Sequence, residues 1–459
     1  MPGDAAALQC AELDAPPQGK HLAQQRTLLR LFFATYWLVV FTGAIRKWLF
    51  PSQQILYLLQ DIPIALAYLY ALGTGLFTRS FLALGVAVLS TALIVHGLIQ
   101  VILLDLSIKV LVIGLHNYIF YLPMLLVFPL VMDSAGRQKY IRWNLILNLP
   151  MTLLVVAQSR ASGTAFINRT TGGIGFGGLE GRLARASGTF NFVAFYSIWL
   201  AIVFALCMGE WLVPPHRRAC GKLLLVSSTI GTLLSVVLSG ERTSLGYTAI
   251  VLVAAMFAGA SMRAFRPMLI TGGVLLLLPG VLLIATQLSP AMLRAFQARA
   301  TNSNNVHEAK GRILYWLTAF IPQRFDPIGA GLGMGVDAAH VGERGGYEVT
   351  YTLDEQDLPR TIDELGTFTG SFYDLMRIGM AVGIALLGIF LLTRQHDPHS
   401  LLISSLVLTD LYIGDLTRNS SMTATQYFLA ASFVLGSLYF SHEDSADILN
   451  TTHLETVYA

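Results

Sequence analysis

Charged residues are scarce in this sequence of 459 residues. Only 12% of the residues are Asp, Glu, Lys or Arg, whereas 54% are hydrophobic. A water-soluble chain of this length needs a much larger charged surface, so the composition excludes an ordinary soluble enzyme. The sequence predicts an all-α polytopic integral membrane protein, because long apolar segments cross a bilayer as helices.

Cysteine and concentrated positive charge are also rare. The three cysteines, Cys10, Cys207 and Cys220, fall on or near the predicted cytoplasmic side, which suggests neither disulfides nor a cysteine-ligated metal. The formal net charge is only +3, and no basic block is present. We therefore expect no nucleic-acid partner, no metal and no cofactor.

Apolar runs recur along the chain and predict about twelve transmembrane helices. Residues 1–27 are polar and contain no apolar stretch with a cleavage site, so we interpret them as a cytoplasmic tail, and residues 441–459 as a second tail. The predicted spans lie near 28–48, 53–73, 80–104, 108–132, 143–158, 190–208, 222–239, 243–260, 267–287, 371–392, 400–415 and 421–440.

The positions of Lys and Arg in short loops predict the orientation of these helices. The loops 133–142, 209–221 and 261–266 are short and basic, which is typical of the cytoplasmic side. Residues 28–287 then hold helices 1–9 with an outer loop at 159–189, and residues 371–440 hold helices 10–12. Between them, residues 288–370 form one large extracytoplasmic loop, which we expect to be helical.

Several cations remain on the outer side, against the usual charge bias. A headgroup contact, or an ion pair with a neighbour such as Glu241, explains any one of them. The set as a whole favours an anion site, because guanidinium groups pair bidentately with phosphate. The candidates are Arg46, Lys47, Arg182, Arg185 and Arg242. For Arg46 and Lys47, an interfacial belt is the simpler interpretation.

Three motifs follow one another on the predicted outer side. Arg185–Phe190 leads into the sixth helix, and Ser239–Ser244 forms a tight turn between the seventh and eighth. The third, Asp326–Gly335, is rich in glycine and lies in the large loop. It follows no predicted strand and lacks the lysine of a P-loop, so it does not indicate nucleotide binding.

With Ser371-Phe372 and Arg377-Ile-Gly379, these motifs resemble in order and spacing the O-antigen ligase and O-antigen polymerase family of bacterial envelope glycosyltransferases. The resemblance covers roughly residues 185–392 by motif and the whole chain by topology, and it implies a GT-C-like architecture. It also implies metal-independent glycan transfer from undecaprenyl diphosphate to an acceptor hydroxyl, on the periplasmic face of the bacterial inner membrane. The donor, a glycan acceptor, the lipid bilayer and other polysaccharide-assembly proteins are the partners it suggests.

The sequence departs from this family where a general base is expected. Ligases carry His-Asn just before the Ser-Phe pair, and Thr369-Gly370 stands there instead. As substitutes we predict Glu364 first, then Asp363, with His340 as a third candidate. A solvated acidic loop, or an ion pair with Arg360, explains either carboxylate equally well.

The missing histidine favours a polymerase that joins lipid-linked units, with ligase-type transfer to another acceptor as the alternative. A flippase of the lipid-linked precursor is the hypothesis from another class. The sequence has no internal inverted repeat, which argues against a transporter. Ionisable groups inside the predicted spans, Asp61 and His96, indicate function by default, yet neither has an evident proton-relay partner in the sequence.

Overall fold

The computed structural model is all-α throughout the residues that it describes. These are residues 18–76, 81–170, 185–262, 265–290, 318–336 apart from 323, 356–417 and 421–438, with isolated positions between 294 and 354. The helices are α1 (Gln18–Ala44), α2 (Asp61–Gly73), α3 (Phe81–Leu104), α4 (Ile108–Ile119), α5 (Ser134–Arg160), α6 (Val193–Leu212), α7 (Lys222–Leu238), α8 (Arg242–Ser261), α9 (Phe265–Leu288), α10 (Asp357–Gln395) and α11 (Pro398–Ile413). A last helix, α12, covers 421–438.

Each of the twelve predicted apolar runs coincides with helical residues. Within the described part of the chain, nine helical segments are long and apolar enough to cross a membrane, while α7 and α11 are shorter. The predicted span 108–132 is interrupted, because α4 ends at Ile119 and short turns follow. Pro123 and Pro129 lie in this stretch and cannot donate the backbone hydrogen bonds of a continuous helix. The all-α class is confirmed, and nine long apolar helical segments in the described residues agree with a polytopic membrane protein.

Helix α6 lies at the centre of the bundle. Within its apolar window 89% of the residues are buried, whereas the window of α3 is only 17% buried. A helix that is apolar on all sides is stable where other helices or lipid surround it. Helices α5, α7, α8 and α11 all pack against α6. The apolar surface that other helices leave uncovered therefore belongs to peripheral helices such as α3.

Helix α10 consists of two helices that meet at Gly366. This residue has φ 77° and ψ 167°, a conformation that glycine adopts without a steric penalty. The chain folds back there, so that Gly370 lies against the backbone of Thr361 and Ile362. We call residues 357–377 the hairpin. The tenth predicted span, 371–392, therefore starts inside a longer helix, and the end of the predicted loop 288–370 belongs to the hairpin.

The glycine segment, Asp326–Gly335, packs between the hairpin and α4. Gly329, Gly331 and Gly333 all have positive φ, at 77°, 119° and 98°. A Cβ atom at Gly333 would collide with the carbonyl of Val110 and the backbone of Gly114. Glycine is required here because the backbone turns tightly and approaches α4 closely.

Candidate anion-binding site and the glycine segment

Among the described cations of the predicted set, Lys47 is the most enclosed, with only 1% of its surface exposed. Its ammonium group donates three hydrogen bonds to the segment before α6. The acceptors are Ser187 Oγ at 3.1 Å, the Gly188 carbonyl at 2.8 Å and the Phe190 carbonyl at 2.7 Å. All three donors of the Lys47 side chain are satisfied, so Lys47 fixes this segment against the end of α1.

Arg46 lies beside Lys47 and contacts the same segment. With the Asn191 amide oriented to satisfy both of its polar atoms, Arg46 Nη1 donates to Asn191 Oδ1 at 2.7 Å, and Asn191 donates to the Gly43 carbonyl at 3.1 Å. The Nε atom of Arg46 is buried and has no hydrogen-bond partner in the structure. The guanidinium group therefore retains donor capacity next to Asn191.

Arg185 pairs with Glu241 and lines a small pocket. Its Nη1 lies 2.9 Å from Glu241 Oε2, and the two side chains are 26% and 17% exposed. The pocket is lined by Asn168, Thr170, Arg185, Ser187, Asn191, Phe192 and Val193. Most of these residues carry hydrogen-bonding side chains. The ion pair between Arg185 and Glu241, which was the simpler interpretation of the sequence, is present. Arg185 also faces a polar pocket.

Arg242 begins α8 and is exposed. Within the described part of the chain it makes no hydrogen bond or ion pair, and its neighbour Glu241 is the residue that pairs with Arg185. Gly240 adopts φ 66°, which makes the tight turn predicted before this helix. Arg242 therefore remains available for an external anion near Arg185.

The cationic cluster is defined by Arg46, Lys47 and Arg185 around residues 187–191. The guanidinium groups of Arg46 and Arg185 face one described carboxylate, that of Glu241, so the cluster is cationic overall. The fifth predicted anion ligand, Arg182, lies outside the described residues. The sequence predicted Arg46 and Lys47 as candidate anion ligands, with an interfacial belt as the simpler interpretation. Both residues contact side chains or carbonyls more than a hundred positions away, and the local sequence pattern does not predict such contacts.

Glu364 is fully buried and binds the glycine segment. Its carboxylate accepts hydrogen bonds from the Gly333 and Gly335 amides, both at 2.9 Å, and from the Tyr118 hydroxyl at 3.1 Å. Arg360 Nε lies 3.9 Å away, so the predicted ion pair is also present. In this conformation the Glu364 carboxylate positions the glycine segment against α4.

The other base candidates differ in accessibility. Asp363 is exposed, and its carbonyl accepts a hydrogen bond from the Ala330 amide at 2.7 Å. The side chain of Asp363 is therefore presented outward beside the glycine segment. His340 lies outside the described residues.

The structure brings a histidine to Thr369, where the sequence lacks one. His96 of α3 has Nδ1 at 3.3 Å from Thr369 Oγ1 and Nε2 at 3.2 Å from the Ile328 carbonyl oxygen. A carbonyl oxygen only accepts, so Nε2 donates to Ile328, and Nδ1 lies within hydrogen-bonding distance of the threonine hydroxyl. Gln100, one turn further along α3, also donates to the Ile328 carbonyl at 2.6 Å. These contacts attach α3 to the hairpin and the glycine segment.

A buried charged network holds the two halves of the hairpin together. The Asp357 carboxylate forms ion pairs with both Arg360 and Arg377. Arg377 also donates to the Gly414 carbonyl at 2.8 Å, and Arg360 pairs with Asp415 at 2.9 Å. Paired and hydrogen-bonded charges are stable in a low-dielectric interior, whereas isolated ones are not. The network therefore ties the hairpin to the loop that follows α11.

Asp61 does have a partner, contrary to the sequence interpretation. His116 Nε2 lies 3.0 Å from Asp61 Oδ2, and the Tyr121 hydroxyl donates to Asp61 Oδ1 at 2.9 Å. The other ring nitrogen of His116 lies 3.1 Å from Asn117 Oδ1, and Asn117 donates to the Thr417 carbonyl at 2.9 Å. Asp61 and His116 belong to different helices, so their spacing in the sequence does not predict this contact.

Contacts between helix ends place these groups at one end of the bundle. Ser244, near the start of α8, donates to Ser197 near the start of α6 at 2.7 Å. Tyr247 hydrogen-bonds to Asp410, near the end of α11. The cationic cluster precedes α6, and the Arg377 acceptor Gly414 follows α11. The cluster and the charged network therefore share an end of the bundle, although no described contact joins them directly.

Comparisons with known proteins find no matching family model, no matching curated protein and no matching solved structure. Among the described residues, no group of three or more His, Cys, Asp or Glu side chains could hold a metal ion. The features that indicate a function are therefore the sequence motifs, the cationic cluster and the charged network of the hairpin.

Proposed function

We propose that this chain is a membrane glycosyltransferase that joins undecaprenyl-diphosphate-linked oligosaccharide units into an exopolysaccharide or O-antigen chain. It would act without a metal, on the periplasmic face of the bacterial inner membrane. The observation that supports this most is the position of Arg46 and Arg185 beside residues 187–191, a segment that Lys47 holds in place. A diphosphate carries the charge and the acceptor oxygens that such a cluster would bind.

In the proposed reaction, an acceptor hydroxyl oxygen attacks the anomeric carbon of the donor sugar, and the bond from that carbon to the diphosphate oxygen breaks with inversion. The departing diphosphate takes the electron pair, and the cationic cluster with Arg242 stabilises its growing charge. The hydroxyl proton passes to a carboxylate base. Asp363 is the exposed base candidate and Glu364 the buried one, so we assign the proton to Asp363 and the positioning of the glycine segment to Glu364.

The variant Arg242→Ala tests the proposed diphosphate contact. Since Arg242 is exposed and unpaired among the described residues, its loss should leave folding and membrane insertion unchanged. Loss of one transition-state donor typically lowers a rate by about 100-fold or more. We therefore expect glycan assembly in cells to be abolished while the protein level in the membrane stays normal.

The matched control is Arg394→Ala, which removes an exposed arginine near the far end of α10. Glycan chain length on a gel and protein abundance in isolated membranes are measured for both variants. Full assembly activity in Arg242→Ala would remove Arg242 from the proposed site.

A further inference from the structure

A basic loop, residues 213–222, follows α6 at the end of that helix that lies away from the cationic cluster. Helix α6 has 20 residues, so its two ends are about 30 Å apart at the rise of an α-helix. Arg217 and Lys222 of the loop are exposed, and Arg218 is partly exposed. Within the part of the chain that the structure describes, none of these three cations forms an ion pair. The loop therefore presents positive charge that the protein itself does not neutralise.

Glu210 is the carboxylate that precedes this loop, and it is only 1% exposed. Its Oε2 accepts a hydrogen bond from the Ala219 amide at 2.8 Å, and its Oε1 lies 3.2 Å from His399 Nε2. Both carboxylate oxygens are therefore engaged on the buried side of the loop. Glu210 fixes the loop to the bundle and does not pair with the cations on its exposed side.

A fourth cation, Arg142, reaches the loop from α5. It is exposed, and its Nε donates to the Ala219 carbonyl at 3.2 Å. Asn148 of α5 donates to the Ser228 carbonyl of α7 at 2.8 Å, and the next contact lies further along both helices in the same direction, so the helices run parallel. Arg142 and Lys222 each lie six residues before this first pair and are therefore at about the same level. Like charges that are brought together repel one another, so this arrangement favours a bound anion.

The exposed face of α5 indicates where this end of the bundle meets a bilayer. Its exposed residues are Arg142, Ile146, Pro150, Leu153, Ala157 and Arg160. The two arginines are separated by about 27 Å at the rise of an α-helix, and every exposed residue between them is apolar. Because the hydrocarbon core of a bilayer is about 30 Å thick, this stripe fits the core, and Arg142 falls at the level of the lipid headgroups.

Apolar and aromatic side chains also lie beside the loop cations. Leu223, next to Lys222, is 84% exposed. Arg218 Cζ lies 5.4 Å from the centre of the Trp211 ring, and Trp is typical of the boundary between lipid and water. The loop cations therefore border apolar surface, which favours a lipid headgroup over a soluble acidic protein. A topology signal needs basic residues in a short loop but no contact between that loop and Arg142.

We propose that Arg142, Arg218 and Lys222 bind the phosphate of an anionic phospholipid, in the leaflet at the end of the bundle that the sequence predicts to be cytoplasmic. Guanidinium groups match phosphate oxygens bidentately, and the lysine adds a third positive charge. A headgroup with net negative charge fits best, because these cations repel the ammonium group of a zwitterionic headgroup. This lipid site is separate from the cationic cluster and does not depend on the proposed reaction.

The test compares lipid affinities of the purified full-length protein in detergent by native mass spectrometry. Phosphatidylglycerol is the anionic lipid, and phosphatidylethanolamine with the same acyl chains is the zwitterionic one. The variant Arg142→Gln/Lys222→Gln removes two cations of the site. The matched control is Arg30→Gln/Arg394→Gln, which removes two exposed arginines of α1 and α10 near the same end of the bundle. Lys222→Gln alone keeps the bond between Arg142 and Ala219, so it tests the site even if the double variant does not fold.

We expect the wild type and the control to bind phosphatidylglycerol more tightly than phosphatidylethanolamine. Each cation near a membrane surface contributes about 1 kcal/mol, so the affinity for phosphatidylglycerol should fall about 30-fold in the double variant and about fivefold in Lys222→Gln. Unchanged affinity in Lys222→Gln, equal affinity of the wild type for the two lipids, or an equal loss in the control would overturn the site. Displacement of phosphatidylglycerol by polyglutamate or by inorganic phosphate would assign these cations to a soluble anion and overturn the lipid.

Discussion

At the scale of single residues, Lys47 shows what local pattern misses. Its position after an apolar helix and before Trp48 is typical of an interfacial belt. In the fold the side chain is buried and bonded to Ser187 and to two carbonyls about 140 positions away. The sequence named Lys47 as a candidate anion ligand, but the partners of its side chain depend on tertiary packing.

The neighbours Asp363 and Glu364 have different roles in this account, and amide variants separate them. In Glu364→Gln, one carboxylate oxygen becomes an NH₂ group that faces backbone donors at Gly333 or Gly335. We expect this variant to lose about 1–3 kcal/mol of stability. Asp363→Asn changes an exposed side chain, so its stability should stay within about 0.5 kcal/mol of wild type.

Activity should follow a different pattern in the same two variants. Without its carboxylate base, Asp363→Asn should assemble glycan about 100-fold more slowly at normal stability. Thermal unfolding in detergent and glycan assembly are measured side by side. Normal activity in Asp363→Asn together with a stable but inactive Glu364→Gln would assign the base to Glu364 instead.

At the scale of elements, the apolar spans were predictable and the hairpin was not. Hydropathy located residues 371–392 because that run is long and contains only two charged residues, Asp374 and Arg377. Residues 357–365 contain Asp, Arg and Glu and therefore resemble a solvated loop. They form a buried helix in which Asp357 pairs with Arg360 and Arg377, and Asp415 also pairs with Arg360. The reversal at Gly366 also has no sequence signal beyond glycine itself.

Gly366→Ala tests the importance of that reversal. An alanine at φ 77° is strained, so we expect the variant to lose about 1–3 kcal/mol of stability and glycan assembly to fall with it. Gly246→Ala is the control, since Gly246 lies within α8 with open space at its Cβ position. It should be neutral or stabilising by up to about 1 kcal/mol. Equal stability of the two variants would show that the hairpin does not depend on Gly366.

At the scale of the whole molecule, the sequence predicted the helix order and the all-α membrane class, and each predicted run coincides with helical residues. The sequence could not predict which side chains contact one another. Asp61 pairs with His116, and His96 contacts Thr369, because helices distant in sequence pack together. The candidate anion ligands were predicted as a set, and three of them do converge. The position of the base remains a prediction.

The most direct measurement of the central claim uses the purified protein in liposomes with an undecaprenyl-diphosphate-linked oligosaccharide unit and a chelator. We predict glycans longer than one unit, released undecaprenyl diphosphate in matching amount, and no product with Arg242→Ala. Units that stay unjoined while the lipid-linked precursor crosses the bilayer would contradict the transferase and favour a flippase.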